Sequence, residues 1–348
     1  MLGVSAVCIN DVPRDAFCVA TAFKYPARLR SATRHMQTVI TDSVIEAAEF
    51  IRRGGVVAFP TETVYGLGAD VFNETAVGNI FEAKGRPADN PLIVHISRIE
   101  QIDELSSEVT ADAHRLIDAF FPGPLTVVLK KSDRIPLIAT AGLETVGMRM
   151  PRNSLTQDFL LACGTPVAAP SANLSGRPSP TTWRAVYEDL DGRIDCILKG
   201  EPTEIGLEST VVDCTGDAPV LLRFGAITLE DLRRVIPEIH ADVSNESQLL
   251  RSPGLRHRHY KPSAKVVLAS EDEDISDETR SAFIGLHEPS QTFALLKICG
   301  SVDEYAYQLF EFFRECDRCG IEIIYCEKVP RAGIGRALSD RIERASAR

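Results

Sequence analysis

The run Val56-Val57-Ala58-Phe59-Pro60-Thr61-Glu62-Thr63-Val64-Tyr65-Gly66-Leu67-Gly68 constrains the fold most. Val56 to Phe59 is apolar, mostly β-branched and introduced by Gly54-Gly55, the pattern of a short buried strand. Pro60 has no N–H to donate and ends regular pairing. Hydroxyls and a carboxylate follow at once, then a phenol and two glycines. Open α/β sheets bind ligands at the ends of such core strands. The glycines permit a tight turn or a close backbone approach to a ligand. Taken alone, the stretch reads as an ordinary strand-to-loop turn; similar polar loops further along change that reading.

Pro166-Val167-Ala168-Ala169 is another short strand, and it runs into Pro170-Ser171-Ala172-Asn173-Leu174-Ser175-Gly176-Arg177-Pro178-Ser179-Pro180-Thr181. Small hydroxyls and backbone N–H groups in such loops suit phosphate or carboxylate oxygens. Gly206-Leu207-Glu208-Ser209-Thr210 is a third polar turn, leading into Val211-Val212. A helix from Glu74 to Lys84, with Val77, Ile80 and Phe81 inward, ends in Lys84-Gly85-Arg86-Pro87. Cations on so constrained a turn fit an anion site, though a helix C-terminus also favours them. Arg149 sits among apolar neighbours in a strand over Thr145–Pro151, where it needs an anionic partner or a ligand. His95, in the strand Leu92–Ile96, reads as a hydrogen-bonded core residue, and the strand Val220–Arg223 ends in a cation.

Asp42 or Ser43 caps a helix to Arg53 with Ile45, Ala48 and Ile51 as its apolar stripe. Further elements are a helix over Ala111–Phe121, a strand over Leu125–Leu129, and a helix to Val235 capped by Thr228. Ser252 to Pro262 carries no acid and no apolar periodicity, and reads as an extended basic linker. Beyond it come strands at Val266–Leu268, Phe293–Leu296 and Ile321–Tyr325, helices at Glu304–Cys316 and Ile334–Ala345, and an acidic loop over Glu271–Glu278. That alternation predicts a small parallel α/β domain.

Three hundred and forty-eight residues suffice for two domains. The formal charge of −11 argues against a general nucleic-acid binder. The nine cysteines are scattered; Cys163, Cys196, Cys214, Cys299 and Cys326 lie in or beside apolar runs, and Cys316-x-x-Cys319 has no second pair, so none is expected to bind zinc. A reducing compartment fits, and no apolar run is long enough to span a bilayer. The first 35 residues are Arg-rich and lack periodicity; a transit segment, a disordered extension and a true start at Met36 all fit.

No P-loop, complete G-x-G-x-x-G, zinc spacing or G-x-S-x-G elbow occurs. What remains is a site lined by Lys84, Arg86, Arg149 and Arg223 with hydroxyls on several strand-end loops. It fits anionic ligands handled by charge and positioning rather than by a covalent nucleophile.

Phe59-Pro60-Thr61-Glu62-Thr63-Val64-Tyr65-Gly66-Leu67, Lys84-Gly85-Arg86-Pro87 and Pro170-Ser171-Ala172-Asn173-x-Ser175-Gly176 together resemble the YrdC-type family. Ser252-Pro253-Gly254 with His259-Tyr260, and the C-terminal segment, resemble its two-domain form; Leu255 stands where the family more often has Met. The resemblance implies an α/β fold: a YrdC-type three-layer domain with a twisted mixed sheet, plus a small Rossmann-like α/β C-terminal domain. Its boundaries are an extension over 1–35, a catalytic domain over 36–247, a linker over 248–263 and a C-terminal domain over 264–348. The implied reaction joins L-threonine, bicarbonate and ATP into threonylcarbamoyl-AMP, releasing pyrophosphate and water. A separate transferase then modifies the adenosine beside the anticodon of tRNAs reading codons that begin with A. Mg²⁺ would come with ATP, with no tightly bound protein metal; tRNA contact would be weak or indirect, and the setting cytoplasmic, with no membrane.

By resemblance, Lys84 and Arg86 are catalytic, on the phosphates and the nascent carbamate. Arg86, Asn90, Thr145, Ser171, Asn173, Ser179, Arg223, His259 and Tyr260 surround ATP, and Thr61, Thr63, His95, Arg149, Ala169 and Ser209 hold threonine. His259 and Tyr260 would form a lid. An RNA-binding module, a hydrogenase-maturation carbamoyl transferase and a regulatory C-terminal domain are the other readings.

Overall fold

The computed structural model describes residues 37–242, 260–269 and 280–347. The N-terminal extension, the linker up to His259 and the acidic run Glu271–Glu278 lie outside the described residues.

The larger sheet holds β1 (Val39–Thr41), β2 (Val57–Phe59), β3 (Gly66–Asp70), β4 (Ile93–His95), β5 (Ser106–Glu108), β6 (Leu125–Lys131), β7 (Thr145–Arg149), β8 (Val167–Ala169), β9 (Cys196–Leu198), β10 (Thr210–Asp213), β11 (Val220–Arg223) and β12 (His240–Ala241). Their spatial order is β1-β9-β2-β3-β8-β4-β7-β6-β10-β11-β12, with β5 against β6. The sheet is mixed: β4 runs parallel to β7, and β3 and β4 run antiparallel to β8.

Side chains alternate across a strand, so one strand feeds two layers. Val57 and Phe59 pack with Ala47, Ala48 and Ile51 of α1 (Val44–Arg52) and Phe159 and Leu160 of α5 (Ser154–Cys163). Ala58 joins the opposite core, with Val77, Ile80 and Phe81 of α2 (Glu74–Lys84), Leu116 of α4 (Ala111–Phe120) and Val186 of α6 (Trp183–Leu190). Helices on both faces give the three layers.

Two expectations need correction. The buried stripe of α1 is Ala47, Ala48 and Ile51, and Ile45 is 59% exposed. Gly66 and Gly68 do not make a turn; they lie in β3, antiparallel to β2. A Cβ on Gly66 would stand 2.9 Å from Cζ of Phe59, and one on Gly68 2.5 Å from Cγ1 of Val167. These glycines make room for core side chains of the same sheet, and Gly66 also lines a cavity among the strand-end loops. The helices α5 and α6, capped by Asn153 and Thr182, and the short α3 (Gln101–Leu105) are additions to the sequence reading.

The second sheet is parallel throughout: β13 (Lys265–Ala269), β14 (Ser281–Gly285), β15 (Leu295–Ile298) and β16 (Ile323–Glu327), in the order β13-β16-β14-β15. After α7 (Leu229–Val235), which has the Thr228 capping box, the remaining helices are α8 (Val302–Arg318) and α9 (Gly335–Ser346). The core of this C-terminal domain, built on Phe310, Phe313 and Leu338, also takes in Val64 and Leu207 from the strand-end loops of the larger sheet. Gly206 lies at φ +82°, and a Cβ there would stand 2.6 Å from the backbone of Tyr307, so the loop and α8 touch main chain to main chain.

Candidate active site

One cavity gathers the strand-end loops. Its wall includes Thr61 and Thr63 after β2, His95 at the end of β4, Arg149 at the end of β7, Ala169 and Ser171 at and beyond β8, Ser209 before β10, and Arg223 at the end of β11. The pairing explains the convergence. His95 is the register partner of Arg149, and Arg223 that of Val211. Arg86, Tyr65, Glu208 and Tyr260 complete the lining.

Arg149 is held from three sides. Its Nη1 donates to Thr63 Oγ1 at 2.8 Å, its Nε to the Gly123 carbonyl at 3.2 Å, and its Nη2 lies 2.8 Å from Glu62 Oε1. Thr61 Oγ1 lies 2.8 Å from Thr63 Oγ1 and 2.7 Å from the Val64 carbonyl, which can only accept. Thr61 therefore donates to Val64, and Thr63 donates to Thr61. This is a one-way chain from guanidinium to backbone.

His95 is buried, and Arg149 stands next to it; burial and that guanidinium lower its pKa to about 3. The imidazole is neutral at physiological pH. Burial also lowers Arg86 and Arg223 to about 10, both still cationic. Arg223 holds Ser209, through Nε to its carbonyl at 2.9 Å and Nη2 to its hydroxyl at 3.0 Å. Arg86 donates through Nη2 to the Asn90 and Pro91 carbonyls, while its buried Nε has no hydrogen-bond partner among the described residues.

Lys84, Asn90, Asn173 and Ser179 lie behind the wall rather than on it. Lys84 Nζ is caged by the Ser171 carbonyl, the Asn173 carbonyl at 2.6 Å and Asn173 Oδ1 at 3.4 Å. Burial, with Arg86 nearby, holds its pKa well below the usual lysine value. Ser171 Oγ donates to Asn173 Oδ1 at 2.5 Å, and Asn173 Nδ2 binds the Leu174 and Arg177 carbonyls. Lys84 and Asn173 thus hold the shape of the Ser171–Ser179 loop. Thr145 stands at the other end of β7 from Arg149, in a separate hollow with Lys130 and Glu144. Five strand residues span about 13 Å, so the cavity does not include it. His259 lies outside the described residues.

Tyr260 is described and closes one side. Its ring stacks on Phe310 of α8 at 5.2 Å, and the Arg341 guanidinium of α9 lies 5.3 Å from its centroid. Burial and Glu208 push its hydroxyl up to about 12.

Two family models match the chain. One, Sua5_yciO_yrdC, described as "Telomere recombination", covers residues 49–225; the other, described as "Threonylcarbamoyl-AMP synthase, C-terminal domain", covers residues 227–347. A Pyrococcus abyssi protein named threonylcarbamoyl-AMP synthase is 44% identical over 318 residues, spanning 86% of this chain and 93% of the relative.

The chain belongs to the two-domain Sua5/YrdC family.

A Bacillus subtilis member with the same name is 41% identical over 320 residues, spanning 87% of this chain and 92% of the relative. The crystal structure of P. abyssi Sua5 complexed with L-threonine aligns with a TM-score of 0.83 at 41% identity, covering 89% of this chain and 97% of that one. The three-layer domain and the parallel C-terminal domain are therefore the family's fold. Among the described residues, no helix is long and apolar enough to cross a membrane.

Sequence reasoning missed Glu62 and Glu208 as site members, and the C-terminal Arg314 and Arg341. Each had a signal. Glu62 and Glu208 sit inside the polar turns. Arg341 falls among Ala337, Leu338, Ile342 and Ala345 on the buried stripe of α9, and Arg314 lies beside Phe310 and Phe313 on that of α8. A cation at a stripe position needs a buried partner. The cysteines expected in apolar runs are buried, and burial pushes Cys163, Cys196 and Cys326 up to about 12.

Proposed function

We propose that the chain joins L-threonine, bicarbonate and ATP into threonylcarbamoyl-AMP, with release of pyrophosphate and water. The observation that carries the reading is the cavity itself: a guanidinium–hydroxyl chain beside Arg86 and Arg223. Membership of a family whose relatives bear that activity's name supports it.

In this reading threonine lies against Arg149, whose remaining N–H groups meet its carboxylate. Thr61, Thr63, Ala169 and Ser209 shape that pocket, and neutral His95 offers a hydrogen bond without adding charge. The threonine nitrogen bonds bicarbonate's carbon, whose hydroxyl leaves with an N–H proton as water, and a carbamate results. A carbamate oxygen attacks the α-phosphorus of ATP, and the bond to the β-phosphate oxygen breaks with its electron pair leaving on pyrophosphate. Negative charge moves toward the leaving group, and fixed cations stabilise that movement. Arg86 is best placed for this because its buried Nε is unpartnered among the described residues. Arg223 supports the phosphates from the other side. Ser171 faces the nucleotide. Lys84, Asn90, Asn173 and Ser179 act from behind as supports, and Thr145 is left out of the assignment.

Mg²⁺ enters with ATP as part of the substrate. Among the described residues, no group of three or more His, Cys, Asp or Glu could hold a metal, and the cavity carboxylate Glu208 is engaged by Ser179 and Arg341. Tyr260 covers one side of the site and keeps water from the labile anhydride. We assign the catalytic domain to 36–247, the covering linker to 248–263 and the supporting domain to 264–348. The product passes to a separate transferase for tRNA, in the cytoplasm.

Pyrophosphate release with mass spectrometry of the adenylate tests this. Release should need both threonine and bicarbonate, with a threonylcarbamoyl-AMP peak. Release without threonine would overturn the reading, and stoichiometric RNA binding without turnover would favour an RNA-binding module instead.

A further inference from the structure

Among the described residues the wall of the cavity contains one carboxylate, Glu208, and its neutralising partner comes from the C-terminal domain. Glu208 Oε1 accepts from Ser179 Oγ at 2.5 Å, and Oε2 accepts from Nε of Arg341 at 2.9 Å. Arg341 is completely buried; its Nη2 donates to the Phe224 carbonyl at 3.1 Å, and its Nη1 meets Asp340 at 2.7 Å. The same guanidinium lies over the ring of Tyr260. One C-terminal side chain therefore touches a cavity carboxylate, the next turn of the larger sheet and the covering aromatic.

The charges make this consequential. Among the described residues the cations on the wall are Arg86, Arg149 and Arg223. Glu62 already matches Arg149. Were Glu208 not matched by Arg341, it would draw on Arg86 or Arg223, and an incoming phosphate would meet one cation fewer. Its carboxylate would also be held by Ser179 alone, beside Ser209, which Arg223 holds. Val64 and Leu207, next to Thr63 and Glu208, are packed into the C-terminal core, so this domain fixes the loops that carry the site.

We infer that Arg341 is a positioning residue for the ATP half of the reaction: it neutralises and orients Glu208, so that the cavity stays cationic toward phosphate. The inference rests on the ATP reading above. Arg341 touches no reacting atom, and its effect runs through Glu208.

The test uses the full chain, with ATP and inorganic tripolyphosphate binding measured by calorimetry and KM and kcat by pyrophosphate release. Arg341→Met keeps the stem and removes the charge. It should weaken ATP and tripolyphosphate binding and raise the ATP KM by about tenfold or more, the scale on which an unmatched charge within ~4–6 Å acts. The threonine KM should move less. Adding Glu208→Gln to Arg341→Met removes the offending charge and should recover much of the ATP affinity, whereas a purely structural lesion would not be rescued. Arg341→Lys, which keeps the charge, should bind ATP better than Arg341→Met and serves if the Met variant fails to fold. Equal losses for ATP and threonine, or no rescue by Glu208→Gln, would overturn the inference. Wild-type chain that binds ATP but forms no adenylate would sink the proposed reaction and leave this inference standing; wild-type chain that binds neither ATP nor tripolyphosphate would sink both.

Discussion

Arg149 Nη2 stands 2.8 Å from Glu62 Oε1, and both side chains are buried. The contact lacks hydrogen-bond geometry, since both Glu62 oxygens remain without a hydrogen bond. A carboxylate brought to Arg149 therefore joins an ion pair rather than meeting a bare cation. Breaking such a pair from one side strands a buried charge, at a cost of about 3–5 kcal/mol. Arg149→Ala and Glu62→Ala should each lose stability of that order in urea unfolding. The double replacement by Met at 149 and Leu at 62 should lose clearly less, while abolishing threonine-dependent turnover. Additive losses would show that the two side chains are not coupled.

His95 gives a pH prediction. Its folded pKa is about 3 and an unfolded histidine titrates near 6.5, so below 6.5 the unfolded chain binds the extra proton. Stability from this group is complete above about pH 6.5 and is lost as pH falls toward 3. By pH 4 the loss reaches about 3 kcal/mol. Unfolding free energies of wild type and His95→Asn should converge as pH falls over this window. An imidazole NMR titration with a midpoint near 6 would contradict the burial argument.

The strand-end loops were legible because their chemistry is local: apolar strand, Pro60 or Pro170, then hydroxyls. The helix Glu74–Lys84 and the strand Val220–Arg223 were read with their observed bounds, since caps and cations mark their ends. The role of Gly66 and Gly68 was not legible, because it depends on where Phe59 and Val167 pack from other strands. Ile45 misled for a similar reason. The α1 face is set by α5, which pairs with it from more than a hundred residues away. In sequence Lys84 reads as a cation of an anion site or of a helix C-terminus; only the folded Ser171–Asn173 carbonyls reveal that it holds a loop.

Tyr260 adopts φ +69°, a left-handed conformation that costs a non-glycine residue about 1–3 kcal/mol and persists where its surroundings hold it. Phe310 and Arg341 supply that hold. Tyr260→Ala should remove the cover while leaving the cavity cations in place. Intact adenylate should fall relative to pyrophosphate released, with ATP affinity changed less. Tyr260→Phe keeps the ring and should keep the ratio near that of the wild type. Parallel losses of yield and affinity in Tyr260→Ala would remove the covering role.

Arg314 makes another buried contact across the domains. Its Nη1 and Nη2 lie 3.2 and 2.9 Å from the two oxygens of Asp189, and Nη2 also donates to the Pro178 carbonyl at 2.6 Å. Asp189 in turn accepts from the Leu174 amide at 3.2 Å and from Arg177 at 2.5 Å. The loop that carries Ser171, Asn173 and Ser179 is thus clamped from outside by Asp189 and Arg314, and from inside by Lys84. Arg314→Ala takes from the buried Asp189 its two-point partner and leaves it Arg177 and the Leu174 amide, so a loss of stability is expected that falls short of the roughly 3–5 kcal/mol of a carboxylate left wholly unpaired. Because the loop faces the nucleotide in the proposed reaction, the variant should also show faster amide hydrogen exchange over residues 171–179. Its kcat should fall without the selective rise in ATP KM expected of Arg341→Met. Stability lost with exchange in that loop unchanged would mean that Arg314 only joins the domains and does not shape the site.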